Sequence, residues 1–396
     1  MIWEVRPSPY GGVQIAALNI LKHLSKRHSI RLIYCDEGFE AAKDFPELEP
    51  YCSQVDSVAT PWLSPSAQLL TIARNSLDAR KLLSLYRCFF TSRYSPVMAE
   101  TTRQAFNDDK YDVIYASNQV ACYARRLSAH KVVHAFDCVS AACRKEYETA
   151  QRAGMKAYWL LAYLKNRCAE RKILETFDDC IVVSNEEYDA FKALVPSARC
   201  SVIGLGVDTE FFRPTQLNEE WPSLIFVGYM SHSPNVSAIL YFHLQVYNAL
   251  KKRFPNLKLV IVGQNPAEPI RALANDPSII LTGFVEDVRP YIARASVAIA
   301  PFVSGTGTKT KVMEAMAMEK PVVTTQIGAQ GINATDCDHF YIADSPAAFA
   351  NRVEELLLDD IKRKRMGRRA REFVEREHSW AHVTEDIGKV LSNSEI

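Results

Sequence analysis

Short apolar runs rich in β-branched residues alternate with helical patterns along the whole chain, and they do so in two successive sets. Each run spans about three to six residues and lacks the strict polar alternation of a half-exposed strand. Runs of this kind are typical of parallel strands that helices cover on both faces. The chain therefore predicts an α/β fold with two Rossmann-like, doubly wound domains that face a cleft.

The two sets can be assigned to strands and helices from the pattern alone. The predicted strands are Ile2–Val5, Ile30–Cys35, Asp112–Ala116, Val132–Ala135, Cys180–Val183 and Ser201–Ile203, then Ser223–Val227, Leu257–Val262, Ile279–Leu281, Val297–Ala300, Val322–Thr324 and Phe340–Ile342. The predicted helices are Gly12–Arg27, Ser140–Phe177 with a break near Gly154, Val236–Arg253, Pro266–Ala274, Val288–Ala295, Lys311–Met318, Ala347–Glu375 and Trp380–Leu391. Ser184 and Glu187 have the spacing of a capping box and predict a further helix.

The segment Gly204–Glu220 interrupts this alternation with glycine, proline and polar residues that show no clear period. Such a composition is typical of a connection between domains. A chain of 396 residues also favours two domains, since single cores rarely grow beyond about 250–300 residues. We therefore predict a first domain at 1–205, a linker at 206–220, a second domain at 221–378 and a final segment at 379–396.

The amino-acid composition limits the classes of protein to which this chain can belong. The ten cysteines form no C-x-x-C pair, which predicts reduced thiols in a cytoplasmic protein rather than a disulfide framework or a zinc finger. A net charge of +1 gives no argument for a nucleic-acid partner. No apolar run reaches about 18 residues, so we expect no transmembrane helix. Peripheral membrane contact stays open, because Tyr86–Tyr94 interleaves aromatic and basic residues and fits either lipid headgroups or ordinary packing.

The most informative segment runs from Pro301 to Met318, where a loop with two glycines, hydroxyls and lysines lies between a strand and a helix. Amides of such a loop and of the first helical turn can bind a diphosphate. The candidate residues are Gly305, Thr306, Gly307 and Thr308, with Lys309 or Lys311 neutralising charge. The loop is not a Walker loop, because Gly305 and Gly307 stand too close together.

Glu314 lies one turn inside the helix that follows this loop. A carboxylate at that position offers two acceptors to a pair of ribose hydroxyls. The alternative is a solvent-facing glutamate on a capped helix, and the surrounding loop favours the binding role.

Two further glycines follow predicted first strands. Gly12 stands in Pro7–Val13, between a strand and a helix, and Gly228 follows the first strand of the second set. Glycines at these places allow a ligand to approach the backbone and a helix N-terminus to meet an anion. Ordinary tight turns would show the same residues, and Pro234 is explained by its preference for helix starts.

Asp137 follows the predicted strand Val132–Ala135, at the end where α/β sheets present groups to ligands. It can accept a proton from an acceptor hydroxyl, or it can cap the next helix. His134 lies within the strand, where a buried histidine is the expected outcome.

Several of these motifs together resemble the donor domain of a GT-B glycosyltransferase of family four, a retaining group that includes many glycan-building enzymes. The resemblance covers roughly Ser201–Ile332. The residues that carry it are Val207-Asp208 with Phe212 and Pro214, Phe226–Gly228 with Pro234-Asn235, Val260–Gly263, Gly283–Val285 with Asp287–Arg289, Lys311–Ala317 with Lys320–Val323, and Gly328 with Gly331. Its nearest subgroup is the sugar transferases associated with bacterial exopolysaccharide and exosortase systems.

The resemblance implies a retaining transfer of a sugar from a UDP or GDP sugar to a glycan or lipid-linked acceptor, without a bound metal or other cofactor. The first half resembles the acceptor domain more loosely, and the final helix would pack back on it. The resemblance places Gly12, Gly228, Val285 and the loop residues at the donor, Glu314 at the nucleotide ribose, and Asp137 with Lys309 and Lys311 in catalysis.

The sequence departs from the family at three places. Phe136 precedes Asp137 where the family often has histidine, and Thr306 occupies the position of a common first glutamate, seven residues before Glu314. The first strand begins almost at Met1, which a late start codon or a trimmed N-terminus would explain. The first two departures keep two alternatives open: a non-catalytic nucleotide-sugar-binding protein of the same fold, and a nucleotide-sugar epimerase.

Overall fold

The computed structural model of the chain describes residues 1–8, 12–36, 46–59, 95–305 and 307–392. The chain divides into two compact units. The first unit comprises Met1–Ile203 together with the C-terminal residues from Thr384, and the second comprises Gly204–Val383. The segment that we predicted as a linker, 206–220, therefore belongs to the second unit, where Val207 forms a parallel bridge with Ser379.

The described part of the first unit is built on a parallel sheet of seven strands in the order β3-β2-β1-β4-β5-β6-β7. The strands are β1 (Ile2–Trp3), β2 (Arg31–Asp36), β3 (Gln54–Ala59), β4 (Val113–Ser117), β5 (His130–Ala135), β6 (Asp179–Val182) and β7 (Cys200–Val202). Six of them confirm predicted strands to within a few residues. The sequence pattern missed β3, because this edge strand is only partly buried and its sequence is largely polar.

Helices cover this sheet, and sequence signals explain most of the residues at which these helices begin and end. They are α1 (Gly12–Leu24), α2 (Pro96–Asp108), α3 (Val139–Thr149), α4 (Ala153–Leu174) and α5 (Asn185–Leu194). The predicted helix start at Ser184 is confirmed, since its side chain accepts a hydrogen bond from the Glu187 amide. The predicted break near Gly154 is confirmed: the backbone is extended at Ala150 and Arg152, and Gly154 lies in the first turn of α4.

The second unit repeats the same plan with a parallel sheet in the order β10-β9-β8-β11-β12-β13. Its strands are β8 (Ser223–Val227), β9 (Lys258–Val262), β10 (Ile279–Gly283), β11 (Val297–Ala300), β12 (Val322–Thr324) and β13 (Tyr341–Ile342). All six confirm predicted strands. Both sheet orders place the first and fourth consecutive strands side by side at the centre, which is the Rossmann arrangement.

The helices of the second unit differ from the predicted ones in two places. They are α6 (Ser233–Phe242), α7 (Asn248–Arg253), α8 (Glu268–Leu273), α9 (Arg289–Arg294), α10 (Thr310–Ala317), α11 (Pro346–Leu358), α12 (Asp360–Glu377) and α13 (Trp380–Ser392), which continues into the first unit. The single helix predicted at Val236–Arg253 is interrupted by a π turn at His243–Tyr247. The single helix predicted at Ala347–Glu375 is wrong, because Asp359 leaves the helical region and its side chain caps α12.

None of the helices in the described ranges is both long enough and apolar enough to cross a lipid bilayer. The longest, α4, has 22 residues, but lysines and arginines interrupt its apolar side chains.

Candidate active site

The centre of the second sheet, where β8 lies beside β11, is the place at which chain connections leave in opposite directions. Ligands of open α/β sheets bind outside the carboxyl ends of the strands at such a switch point. Gly228 follows β8, and the glycine-containing loop Pro301–Lys309 follows β11. The fold of the second unit thus brings together two of the segments that we singled out in the sequence.

Lys311 lies at the meeting point of these segments. Its Nζ donates a hydrogen bond of 2.8 Å to Oδ1 of the buried Asn235, whose Nδ2 in turn donates to the carbonyl of Tyr229 at 2.9 Å. A Cβ atom at position 228 would lie 2.8 Å from the Lys311 Nζ and 2.9 Å from Nδ2 of Asn235. Glycine at 228 therefore leaves the space in which the ammonium group and the amide pack.

Burial lowers the pKa of Lys311 to about 8, and the charge of Lys309 acts in the same direction, while Glu314 opposes it. The Nζ also lies 5.4 Å from the ring centre of Phe226 and 5.3 Å from that of Phe302. An ammonium group with a depressed pKa in such surroundings gains more from an added anion than an exposed lysine does, because water screens it less.

Lys309 lies immediately before α10 and is itself buried. Its Nζ donates to the carbonyl of Gly307 at 2.6 Å and lies 5.5 Å from the ring centre of Phe302. Partial burial lowers the pKa of His232, and the charges of Lys311 and Lys309 lower it further. Two ammonium groups thus lie within 5.5 Å of the ring centre of Phe302, and the charges of both act on His232.

The loop itself has the geometry that exposes amides to an anion. Gly305 and Gly307 have φ values of +105° and +74°, in the region that side-chain-bearing residues avoid. In the described part of the chain, Lys309 at the N-cap of α10 makes no side-chain capping hydrogen bond, so the helix dipole and first amides are left for another partner. Within the described residues, the buried Oγ1 of Thr308 also lacks a hydrogen-bond partner. Thr306 lies outside the described residues.

Glu314 lies one turn beyond Lys311 on the face of α10 that is not packed into the core. The neighbouring residues Val312, Met313, Ala315 and Met316 are buried. Glu314 is half-buried rather than fully solvent-facing, and burial raises its pKa, while Lys311 and a hydrogen bond from Thr310 oppose the rise. The helix therefore presents an ammonium and a carboxyl group on the same side.

The remaining predicted donor residue of the second unit, Val285, lies two residues after β10 and packs partly against the core. The structure thus places Gly228, Lys311, Asn235 and the loop after β11 together.

Gly12 and Asp137 belong to the first unit. Gly12 begins α1, and a Cβ atom there would meet nothing within 4 Å. Its neighbour Gly11 lies outside the described residues.

Asp137 lies two residues after β5 and is exposed. The helix that follows has Cys138 at its N-cap, so Asp137 does not occupy the N-cap position. The charge of Asp137 raises the pKa of Glu4 and of Glu187. The proton-accepting role of Asp137 stays a prediction.

His134 is buried, as expected for a histidine within a strand. Its Nδ1 is hydrogen-bonded to the Tyr115 hydroxyl at 2.5 Å, and its ring stacks on Phe136 with centroids 4.4 Å apart. Burial lowers its pKa to about 3, so the imidazole is neutral at physiological pH. Phe136, the residue at which the sequence departs from the family, is therefore a packing partner of His134.

Sequence reasoning missed three acidic residues of the first unit. Glu4 is buried directly after β1, and burial raises its pKa to about 8. Burial likewise raises the pKa of Glu170 and of Glu187 to about 7, although Glu170 accepts a hydrogen bond from the Ser140 amide and Glu187 accepts one from the Cys138 amide. An acidic residue at the carboxyl end of a strand was the available signal for Glu4. Glu187 had been interpreted only as part of a capping box.

In the described ranges, no group of three or more histidine, cysteine, aspartate or glutamate residues is placed to hold a metal ion. The expectation of a metal-free reaction stays a prediction.

Comparison with known proteins identifies the family. A sequence model described as Glycosyltransferase Family 4 matches residues 10–211, slightly more than half of the chain. The chain belongs to glycosyltransferase family 4. A second model, described as Glycosyl transferases group 1, matches residues 221–359 of this family 4 chain. The resemblance that we stated from the sequence motifs is thereby confirmed at the level of the family.

Individual relatives of the family 4 chain are distant. It is 21% identical to an uncharacterized 44.6 kDa protein in the cps region of Klebsiella pneumoniae, over 59% of this chain and 61% of that protein. It is 30% identical to the phosphatidyl-myo-inositol mannosyltransferase of Mycobacterium leprae, over 35% of this chain and 38% of that enzyme. The chain thus spans less than two thirds of the length of these curated relatives.

Solved structures show the fold of the family 4 chain over nearly its whole length. Sucrose-phosphate synthase from Thermosynechococcus elongatus superposes with a TM-score of 0.71 at 14% identity, covering 99% of this chain and 98% of that one. The Anabaena protein HepE, solved in complex with UDP-glucose, gives a TM-score of 0.67 at 16% identity and 99% coverage of both chains. The predicted GT-B fold class, with two parallel-sheet α/β domains, is confirmed.

Proposed function

We propose that the chain is a retaining glycosyltransferase that moves a hexosyl group from a nucleotide diphosphate sugar to a glycan or lipid-linked acceptor. The observation that carries the proposal is the position of Lys311. Its ammonium group, held by Asn235 in the space that Gly228 leaves, lies at the N-terminal turn of an uncapped helix and at the switch point of a doubly wound sheet. Helix dipole and ammonium charge favour the same anion there.

The pyrophosphate of the donor would bind between the amides of the loop after β11 and the two lysines. As the glycosidic bond breaks, negative charge develops on the β-phosphate. Preorganised amides and the ammonium groups of Lys309 and Lys311 stabilise that charge in the transition state, which is the role a metal ion takes in other transferases. We propose no bound metal and no other cofactor.

The nucleoside would lie next to the pyrophosphate, with its ribose hydroxyls donating to the half-buried carboxylate of Glu314. Val285 and Gly228 would contact the same donor through the backbone. Thr306, where the family often carries an acid, would donate a hydrogen bond to the sugar without bringing a charge. We expect UDP or GDP as the nucleotide, and HepE was solved with UDP-glucose.

For the transfer itself we propose a front-face reaction, in which the acceptor hydroxyl attacks on the side from which the diphosphate leaves. The departing phosphate or Asp137 accepts the proton of that hydroxyl. Retention through a covalent intermediate requires a carboxylate nucleophile close to the anomeric carbon. Asp137 is assigned to the base role instead, in line with its exposed position after β5.

The biological setting that we propose is the synthesis of exopolysaccharide or another cell-surface glycan on the cytoplasmic side of the membrane. Similarity to a protein of a cps region and to mannosyltransferases of a membrane lipid supports it. Peripheral membrane contact is part of the proposal. The segment Tyr86–Tyr94, from which we first predicted such contact, lies outside the described residues.

Two measurements test the proposal. Isothermal titration calorimetry with UDP, GDP and ADP, together with transfer assays from the corresponding sugars, identifies the donor. Glu314→Ala should weaken nucleotide binding about 10- to 100-fold through loss of a charged hydrogen-bond acceptor, whereas Glu372→Ala, at an exposed glutamate of α12, should leave it unchanged. Failure of all three nucleotides to bind would refute the donor site. Equal losses in both variants would refute the role of Glu314.

One observation supports a non-catalytic alternative. Phe136 replaces the histidine that the family often has, and its ring packs on the buried His134, so this corner of the first unit lacks an exposed imidazole. Nucleotide binding without transfer to any glycan or lipid-linked acceptor, and without conversion of the donor, would favour a binding protein. Conversion of the donor sugar without an acceptor would favour an epimerase.

A further inference from the structure

Helix α4 of the first unit has one face that is firmly packed. Ala162, Asn166 and Glu170 are buried on it. The Asn166 side chain donates to the Ala162 carbonyl at 2.9 Å and contacts Sγ of Cys143 on α3 at 3.6 Å. Glu170 accepts a hydrogen bond of 3.2 Å from the Ser140 amide at the start of α3. These contacts fix the rotation of α4 about its axis.

The opposite face of α4 is apolar and exposed. Leu160, Leu161 and Leu164 have 37%, 60% and 49% of their surface exposed, and Ala157 is exposed between them. At about 100° per residue, these four side chains fall within about 100° of one another, roughly opposite the buried Asn166. The exposed Tyr158 lies beyond one edge of this surface, toward the N-terminus of the helix. We call Ala157, Leu160, Leu161 and Leu164 the outer face of α4.

Positive charge borders the outer face on both sides. By the same helical geometry, Lys156 and Arg167 lie along one edge and Lys165 lies along the other. Arg152 directly precedes the helix, and the sequence contains no aspartate or glutamate from Gln151 to Ala169.

The exposed charges of the neighbouring α3 cancel one another. Arg144 and Lys145 are offset by Glu146 and Glu148, and the Arg144 side chain pairs with Glu148 at 2.8 Å. The excess positive charge on this part of the unit therefore belongs to α4.

We propose that the outer face of α4 inserts, with the helix parallel to the membrane plane, into the headgroup region of an anionic phospholipid bilayer. An apolar face bordered by lysines and arginines is the pattern of a helix that lies in a membrane interface. The exposed Tyr158, beside the edge of the outer face that carries Lys165, suits the same depth, because one end of its side chain is apolar and the other is polar.

Charge favours the lipid over a second copy of this chain. In a two-fold symmetric dimer the same patch meets itself, so the cations along the two copies of α4 would face each other, with no aspartate or glutamate between Gln151 and Ala169 to offset them. An anionic bilayer attracts the same cations, by about fivefold in binding constant for each lysine or arginine near its surface. The inference rests on the surface of α4 and does not depend on the donor chemistry.

Co-sedimentation of the full chain with vesicles tests the inference. Phosphatidylcholine vesicles and vesicles that also contain phosphatidylglycerol serve as the two surfaces. The wild-type chain should bind the anionic vesicles, and high salt should weaken that binding. The triple variant Leu160→Ser, Leu161→Ser, Leu164→Ser should lose at least about a hundredfold in binding constant, since each leucine contributes about tenfold on burial.

Two matched controls separate the outer face from general effects. Leu244→Ser changes a leucine of the second unit that is 66% exposed, and it should leave vesicle binding unchanged. The double variant Lys156→Gln, Arg167→Gln should lose about 25-fold on anionic vesicles and nothing on neutral ones, whereas Lys252→Gln, at an exposed lysine of α7, should change neither. Circular dichroism of each variant checks that it is folded.

Three results would overturn the inference: no sedimentation of the wild-type chain with anionic vesicles, binding by the triple variant equal to that of the wild type, or equal losses for Leu244→Ser. A wild-type dimer that the triple variant converts to monomers, without vesicle binding, would assign the outer face to a second copy and overturn it as well. Calorimetry with UDP on the same samples keeps a failed donor site distinguishable from a failed membrane site.

Discussion

Replacement of Lys311 by methionine should make the unliganded protein no less stable and should make nucleotide binding much weaker. Burial lowers the pKa of Lys311 from its ordinary 10.5 to about 8. Since one pKa unit corresponds to about 1.4 kcal/mol, the charged ammonium group destabilises the folded state by up to about 3 kcal/mol at neutral pH. The folded pKa lies below the unfolded one, so the penalty is complete below pH 8 and disappears as pH rises toward 10.5.

Methionine keeps the apolar length of the side chain and removes the charge. It also removes the hydrogen bond of 2.8 Å to the Asn235 amide oxygen, and a buried acceptor left without a donor costs about 1–3 kcal/mol. The two effects oppose each other. We therefore expect Lys311→Met to unfold in urea at pH 7 with a free energy between the wild-type value and about 2 kcal/mol above it. Lys252→Met on α7 is the control for loss of an exposed lysine.

The same variant should bind UDP about 10- to 100-fold more weakly than the wild type at pH 7, since a charged hydrogen bond to phosphate contributes about 1.5–3 kcal/mol. Binding of an anion favours the protonated lysine, so wild-type affinity should change little between about pH 7 and about pH 8 and should fall as pH rises further. The pKa of His232 is lowered from 6.5, so that group is already neutral in this range. Lys311→Met should show no such fall.

Calorimetric titrations with UDP at about pH 7 and about pH 9, for wild type and variant, check both expectations. The reasoning is refuted if Lys311→Met binds UDP as tightly as the wild type at pH 7. It is also refuted if the wild-type affinity does not change between the two pH values, or if the variant unfolds with a free energy more than about 1 kcal/mol below that of the wild type.

Three further substitutions test other parts of the proposal. Gly228→Ala should weaken UDP binding at least about tenfold, because its Cβ would lie 2.8 Å from the Lys311 Nζ, and calorimetry that finds unchanged affinity would contradict this. Glu314→Gln should bind UDP more tightly than Glu314→Ala but more weakly than the wild type, since one acceptor oxygen remains. Asp137→Asn should lower the transfer rate about 100-fold or more at unchanged UDP affinity, and a lowered affinity with unchanged kcat would remove Asp137 from catalysis.

Local sequence determined the architecture of both units. All six strands of the second sheet and six of the first were predicted from short apolar runs, because a strand buried on both faces needs an apolar side chain at nearly every position. The edge strand Gln54–Ala59 was missed for the same reason, since water on part of its surface allows polar residues. The predicted helix through Ala347–Glu375 failed where Asp359 competes for the backbone as a cap.

Only the tertiary structure decided the chemistry of individual groups. Loop composition indicated that Lys309 and Lys311 belong to an anion site, but the depressed pKa of Lys311 comes from its burial beside Phe226 and Phe302, and Asn235, which holds it, is 76 residues away. The sequence also did not predict the raised pKa of Glu4 or the outward orientation of the leucines of α4. Burial and helix rotation are set by neighbours that are distant in the sequence. The sequence thus determined which groups are present and at which ends of which elements. Folding determined how far each group is buried from water. Burial shifts the pKa of the group and therefore determines its charge.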